Sequence, residues 1–478
     1  MIAQVIQARK QRPLDLNWEF SLTAIAILYI YSNSRLPAYS IHQSSICYTR
    51  LPMKVLLVYL NKRTDNQKLM NAAPLTLPLL AAYTPADIEV SIVDEAFETI
   101  DYDTDADLVA TTFVLPLAHR AYKLAQAFRK RGKIIVCGGP HATLMPDESA
   151  LHFDSVVIGQ GDLTWPILLE DFKNGRLKKF YTSHRDVDMA AIPFARRDLL
   201  NPKGYSILNT FQATRGCPYS CTYCTTHTIY PKFLTPPVKK VVEEIEQIEG
   251  GPFHRRLLLF WDDNLVGNPV WAKKLFEEMT PLKKKWVAQL TFTIAEDKEL
   301  VKAAAKSGCV GLFFGLESFN SLSLKNSNKK HNVVEKYREG IKRLHDHGIS
   351  VYAGMMFGFD DDPKDIFEIT LEKAIELGID NLGPKILVPY PNLPLYEKLV
   401  KEKRIIHTDW SKYNGNHAVF HPRHMTAEEL ENGNQWFHRE FHSYKSIARR
   451  LWKSKAATWF SLPINLSKRK VLYQQVTR

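Results

Sequence analysis

From residue 53 onward, short and uniformly apolar runs alternate with longer amphipathic ones. Runs at 54–59, 90–93, 108–112, 134–137 and 156–158 read as strands, and 74–83, 118–131 and 164–172 read as helices. Strands apolar on both faces cannot leave one face in water. Separated by helices, they predict a parallel sheet covered on both sides. The pattern resumes after residue 201. Strands are expected at 208–214, 257–261, 288–293, 310–315, 350–357 and 383–388, each followed by a helix, at 237–248, 271–279, 299–306, 333–347, 366–377 and 395–402. Six such βα units predict a parallel sheet curled into a partial barrel. The expected fold class is therefore α/β. A doubly wound N-terminal domain spans 53–180, a linker 181–200, a partial (β/α)6 barrel 201–400 and a mostly helical region 401–478. In both sheet types, ligands collect at the carboxyl ends of the strands.

Residues 1–52 do not share this pattern. Their apolar run at 20–31 is shorter than the roughly 20 residues that span a bilayer. Met53 opens the first strand, so residues 1–52 are expected to be a poorly ordered upstream extension. The net charge of +12 also sits at the ends. Residues 439–478 hold ten Lys and Arg against one acid, and 1–52 hold five against two, leaving 53–438 balanced. A balanced body argues against a nucleic-acid channel. The stretch 444–460 mixes Arg449, Arg450, Lys453 and Lys455 with apolar residues at helical spacing. Such a helix can cover the barrel, lie on an anionic membrane or bind RNA, in descending order of expectation. Few cysteines and no convincing secretion signal place the chain in the cytoplasm, with membrane association through the C-terminal region left open.

The chemistry is concentrated in Cys217, Cys221 and Cys224, spaced C-x3-C-x2-C just after the first barrel strand. Three thiolates on one loop can hold three irons of a [4Fe–4S] cluster and leave the fourth iron open to a ligand. Zinc is the competing reading, with His227 as a fourth ligand, but its common spacings pair two cysteines with a distant second pair. Cys47, Cys137 and Cys309 are scattered singly, and the last two lie in apolar runs as core residues do.

With Tyr223 just before the last cysteine, the run resembles the radical S-adenosylmethionine superfamily. In that family the open iron chelates S-adenosylmethionine, whose reductive cleavage yields a 5′-deoxyadenosyl radical that abstracts hydrogen from an unactivated carbon. The resemblance extends to the later strand ends. Asp262 and Asp263 after the second strand match a contact to the methionine ammonium, Glu317 and Ser318 after the fourth match contacts to ribose or ammonium, and Gly354 and Gly358 match the backbone approach to adenine. Upstream, Asp94-Glu95, Ala106-Asp107-Leu108-Val109, Gly138-Gly139-Pro140-His141 and Gly159-Gln160-Gly161-Asp162 resemble a cobalamin-binding domain. The resemblance makes Gly138, Gly139, Gly159 and Gly161 cobalamin contacts and His141 a candidate axial ligand, although the D-x-H-x-x-G motif is absent. Asp-Asp-Asn-Leu-Val-Gly from Asp262 resembles the hopanoid methylase branch.

The implied activity is cobalamin-dependent methylation of an unactivated carbon on a small-molecule or lipid substrate, with electrons from a donor such as flavodoxin or ferredoxin. Ring formation or C–C coupling, as in anaerobic cyclase relatives, is the first alternative. A non-catalytic cobalamin- or lipid-binding protein is the second, and the intact cysteine triplet argues against it. Methylthiolation of tRNA is disfavoured, since no second cysteine-cluster domain precedes the triplet.

Overall fold

The computed structural model describes residues 52–60, 71–183, 185–248 and 257–474. The extension expected at 1–52 lies outside them but for its last residue. Two parallel sheets of six strands form the framework. The first contains β1 (Met53–Tyr59), β2 (Ile88–Asp94), β3 (Leu108–Thr112), β4 (Ile134–Gly138), β5 (Ser155–Ile158) and β6 (Phe180–Thr182), in the order β2-β1-β3-β4-β5-β6. Alternate residues of β1 enter two separate cores, Leu56 and Val58 on one face, Val55 and Leu57 on the other. Each such side chain contributes about 1.5–3 kcal/mol on burial. This two-faced burial is why the strands read as unbroken apolar runs.

The second sheet contains β7 (Asn209–Phe211), β8 (Leu257–Phe260), β9 (Lys285–Leu290), β10 (Cys309–Glu317), β11 (Ser350–Phe357) and β12 (Asn381–Ile386), paired in chain order with β7 and β12 at its edges. On β11, Val351, Ala353, Met355 and Phe357 are buried, while Tyr352, Gly354 and Met356 between them are half-buried. Phe357 packs on Phe367 and Phe437 of the helix layer, so the alternate residues face the barrel interior.

The helices Ala427–Phe441, Tyr444–Ser454 and Thr458–Gln474 follow. The first starts with a capping box between Thr426 and Glu429. The last lies across the amino ends of the barrel strands. Ser461 Oγ is 2.6 Å from Ser350 Oγ and 3.0 Å from Asn381 Nδ2, and both partners begin strands. Arg450 is fully buried and donates to the carbonyls of Ile379, Asp380 and Phe441 and to Asn465. No helix among the described residues is long and apolar enough to cross a membrane.

Three sequence expectations need adjustment. The strand expected at 208–214 stops at Phe211, because the amides of Ala213 and Thr214 donate to Asp262 instead of a neighbouring strand. The strand expected at 288–293 lies at Lys285–Leu290, and Phe292–Glu296 forms a 3₁₀ turn. The short edge strand β6 extends the first sheet past residue 180 and was not expected, since only Tyr181 of its three residues is buried.

Candidate functional site: the cysteine loop and the facing glycine loops

The loop from Arg215 to Cys224 is held at its root by the run that follows β8. Asp262 is buried and accepts from Ala213 N at 3.2 Å, from Thr214 N and from Thr214 Oγ1 at 2.6 Å. Burial pushes its carboxyl up to about 7, against the donors that pull it down. Asp263 accepts from Thr226 Oγ1 at 3.1 Å and from the Gly216 amide. Asn264 closes the clamp. Its Nδ2 lies 3.8 Å from Cys217 Sγ, and its Oδ1 accepts from both Thr291 N and Thr291 Oγ1 at 3.1 Å. Gly216 has φ +78, and a Cβ there would fall on the Lys232 carbonyl, so only glycine fits. The two aspartates thus position the cysteine loop. Asp262, expected as an ammonium contact, is buried here with both oxygens accepting from Ala213 and Thr214.

Cys217, Cys221 and Cys224 are free, half-buried and electrostatically coupled to one another. Burial pushes the Cys221 thiol up to about 11, opposed by Lys329. Among the described residues, no three His, Cys, Asp or Glu side chains converge as they would on a single metal ion. His227 Nε2 is 2.6 Å from the Tyr219 carbonyl, and His227 does not converge with the cysteines as a ligand set for a single metal ion among the described residues. The donor set fits a larger, thiolate-held group such as a [4Fe–4S] cluster.

Beside the cysteines the expected contact Glu317 is paired with Lys329, which sequence reading did not single out. Lys329 Nζ lies 3.3 Å from Glu317 Oε1, both nearly buried, and Cys221 and Cys224 act on the lysine. Burial pulls the ammonium down, but Glu317 and the thiols outweigh it and raise it. Glu317 sits at φ +68 beside a register shift in β10. Gly315 leaves the space that the carboxylate fills, and Asn332 Nδ2 donates to the Gly315 and Leu316 carbonyls. A non-glycine residue held at positive φ stores strain and is over-determined by its surroundings. Tyr223 packs edge-on against Phe359, and its buried hydroxyl lies beside Cys221 with no hydrogen bond of regular geometry. Carboxylate, ammonium and orphan hydroxyl beside the thiols fit the polar end of an amino-acid-bearing ligand such as S-adenosylmethionine.

The remaining expected contacts sit differently. Ser318 is buried and its Oγ accepts from Asn320 N at 2.9 Å, a turn role. Gly358 has φ +100 and gives way to Leu430 and Phe420, while Gly354 gives way to the Phe313 ring. Both make room for side chains of this chain.

A cavity of about 390 Å³ lies at the carboxyl ends of the first sheet. Tyr59 and Thr112 mark the switch point between β1 and β3, and Gly138 and Gly139 close it after β4. Gly159 and Gly161 line it after β5. Gly159 has φ +77, and a Cβ there would meet no atom, so its bare face opens on space. Gln212, Arg215, Tyr230 and Trp261 line the same cavity from the barrel side. Arg215 carries the join: it donates to Asp162 at 2.6 and 2.7 Å and to Gln160 Oε1 at 3.0 Å, with both charged side chains buried. A glycine-lined cavity with no side chain in its open centre fits a large planar cofactor such as cobalamin.

His141 does not reach that cavity. Its ring is fully buried against Phe113, its Nε2 is 2.8 Å from Tyr122 Oη, and burial pulls it down to about 4. The axial-ligand expectation is therefore corrected. The signal for Lys329 and Arg215 was weak in the sequence, because a lysine in a polar loop and an arginine before Gly-Cys look like ordinary surface residues.

Both halves of the chain match known protein families. Residues 211–374 match the radical SAM superfamily, and residues 72–169 match the B12 binding domain. The chain is 31% identical over 394 residues to bacteriochlorophyllide d C-12(1)-methyltransferase of Chlorobaculum tepidum, covering 81% of this chain and 86% of that protein. It is 27% identical over 365 residues to the hopanoid C-2 methylase of Rhodopseudomonas palustris, covering 73% and 68%. In fold it is similar to the radical S-adenosylmethionine methyltransferase TsrM from Kitasatospora setae, solved with cobalamin and a [4Fe-4S] cluster bound. That match has TM-score 0.60 at 15% identity and covers 81% of this chain and 85% of that one. The chain belongs to the cobalamin-dependent radical S-adenosylmethionine enzymes, whose cofactors are a [4Fe–4S] cluster, S-adenosylmethionine and cobalamin.

Proposed function

We propose that this enzyme methylates an unactivated carbon of a small-molecule or lipid substrate in the space between the cysteine loop and the glycine loops. The observation that carries this is the Arg215–Asp162 pair. It ties the loop of Cys217 to the loop of Gly159 and Gly161, and Arg215 itself lines the glycine-lined cavity. The bound cofactors supply the electron, the hydrogen-abstracting radical and the methyl group. The chain supplies the rest. Cys217, Cys221 and Cys224 hold the cluster, and Lys329 offsets the thiolate charge. Glu317 and Tyr223 orient the polar end of S-adenosylmethionine, and Trp261 and Tyr230 exclude water from the cavity. The two relatives above are named for a bacteriochlorophyllide and a hopanoid, both large apolar ring systems. A substrate of that kind is our assignment, with a flavodoxin or ferredoxin as electron donor.

The test is anaerobic purification with cobalamin, an iron count, a visible spectrum and incubation with S-adenosylmethionine, reductant and substrates of both classes. Product heavier by one methylene unit supports the reading. Product that has lost hydrogens without gaining carbon replaces it with ring formation. Failure to cleave S-adenosylmethionine with a full cluster refutes it.

A further inference from the structure

The helices that close the amino end of the barrel have a second face. On Tyr444–Ser454 the inner side carries Ile447, Arg450, Leu451 and Ser454. On the outer side Tyr444, Ala448 and Trp452 recur every four residues, with Lys445, Arg449 and Lys453 one place along. Tyr444 is 66% exposed and Trp452 80%. On Thr458–Gln474, Leu462 and Leu466 continue an exposed apolar row, while Ser461, Ile464 and Asn465 turn inward. The Arg469 guanidinium stacks on Tyr444 at 3.8 Å and on Tyr473 at 3.9 Å, joining the two helices into one surface. Residues 441–474 contain no Asp or Glu.

An ordinary solvated face intersperses both signs of charge and few large apolar groups. This one pairs aromatic and aliphatic rows with cations, and Glu376 is the acid beside it among the described residues, next to Lys453. Nucleic acid would use the cations and the aromatics but has no use for Leu462 and Leu466. A headgroup layer over acyl chains uses all three: aromatic rings at the interface, aliphatic groups below them and cations against anionic headgroups. We propose that this face docks on a bilayer surface that carries anionic lipid. The proposal stands apart from the methylation reading, because none of these residues touches either cofactor loop.

The test is flotation of the full chain with vesicles of phosphatidylcholine containing roughly one third phosphatidylglycerol, compared with phosphatidylcholine alone. The chain is expected to float with the first, to bind the second much more weakly, and to show a blue shift of tryptophan emission on binding. R449E with K445E is expected to weaken binding by roughly two orders of magnitude. W452A with L466A is expected to weaken it about tenfold or more while leaving its salt dependence at least as steep as that of the wild type. Thermal unfolding and iron content of both variants should match wild type, since all four side chains are exposed. Equal binding to both vesicle types, no flotation, tighter binding to RNA than to vesicles, or self-association abolished by W452A would each overturn the proposal.

Discussion

Replacing Asp162 with Ala removes one half of a buried, bidentate ion pair and leaves the Arg215 guanidinium facing a cavity wall with Gln160 as its remaining polar partner. Two unit charges about 4 Å apart at an effective dielectric near 20 attract by about 4 kcal/mol. Breaking a buried pair from one side costs about 3–5 kcal/mol, because the survivor stays desolvated. Removing both charges with D162L and R215M is expected to cost about 1 kcal/mol or less, since an apolar pair of similar volume replaces them. In the cycle closed by the single variants D162L and R215M, each expected to cost about 3–5 kcal/mol, the coupling should therefore be at least about 5 kcal/mol, read from urea unfolding midpoints. Because the pair joins two loops, a second readout follows. D162A should lower cobalamin retention and iron content together, and the double variant should recover part of both. A coupling below about 0.5 kcal/mol, or single and double variants equally damaged, would refute the argument that this pair aligns the loops.

Other perturbations follow from the same geometry. Ala at Cys217, Cys221 or Cys224 should abolish stable iron binding, whereas H227A should keep the iron count, because three thiolates on one loop suffice to hold the cluster. K329M should retain iron yet slow S-adenosylmethionine cleavage by about 100-fold, worth about 2.7 kcal/mol, with E317Q milder; an unchanged rate would remove the pair from the site. D262A strips three acceptor contacts from the loop root and leaves two buried amides unpaired, at about 1–3 kcal/mol each, so iron loading should fall even though no iron ligand is touched. Four histidines, His141 and His442 buried and His331 and His438 half-buried, contribute to the acid response. Burial pulls His141 and His438 down to about 4 and His331 and His442 to about 3, while the unfolded chain titrates near 6.5. Below 6.5 the unfolded state binds protons that the folded state refuses. Their stabilisation is therefore complete above pH 6.5 and is lost toward pH 4, by about 1.4 kcal/mol per pH unit for each histidine. H141Q should reduce the slope of unfolding midpoint against pH by about one proton.

The two sheets were legible because burial on both faces forces apolar runs that few alternatives produce. Strand ends were less so. The first barrel strand stops three residues early for a reason written elsewhere in the chain, since Asp262 takes the amides that would have continued it. No local propensity carries that information. The same distance effect hid β6, which is short, exposed at both ends and held by pairing with β5 and by the buried Tyr181 side chain. The short helix Pro140–Leu144 was hidden by its own first residues, Gly139 and Pro140, which read as a turn.

The site shows a sharper version of this divide. Cysteine spacing announces its chemistry within eight residues, because a cluster needs several ligands on one loop. Acids at strand ends announce only that something polar lies there. Asp262, Asp263 and Glu317 were read as the same kind of residue, yet the fold uses the first two on backbone amides and hydroxyls beneath the cysteine loop and leaves the third beside Lys329. What separates them is the backbone around each. Asp262 follows a strand whose neighbour has unpaired amides to offer. Glu317 stands at positive φ over a glycine that cannot crowd it. A carboxylate met by amides at its own depth becomes structure. One lifted past them, next to a buried cation and three thiols, stays available to a ligand.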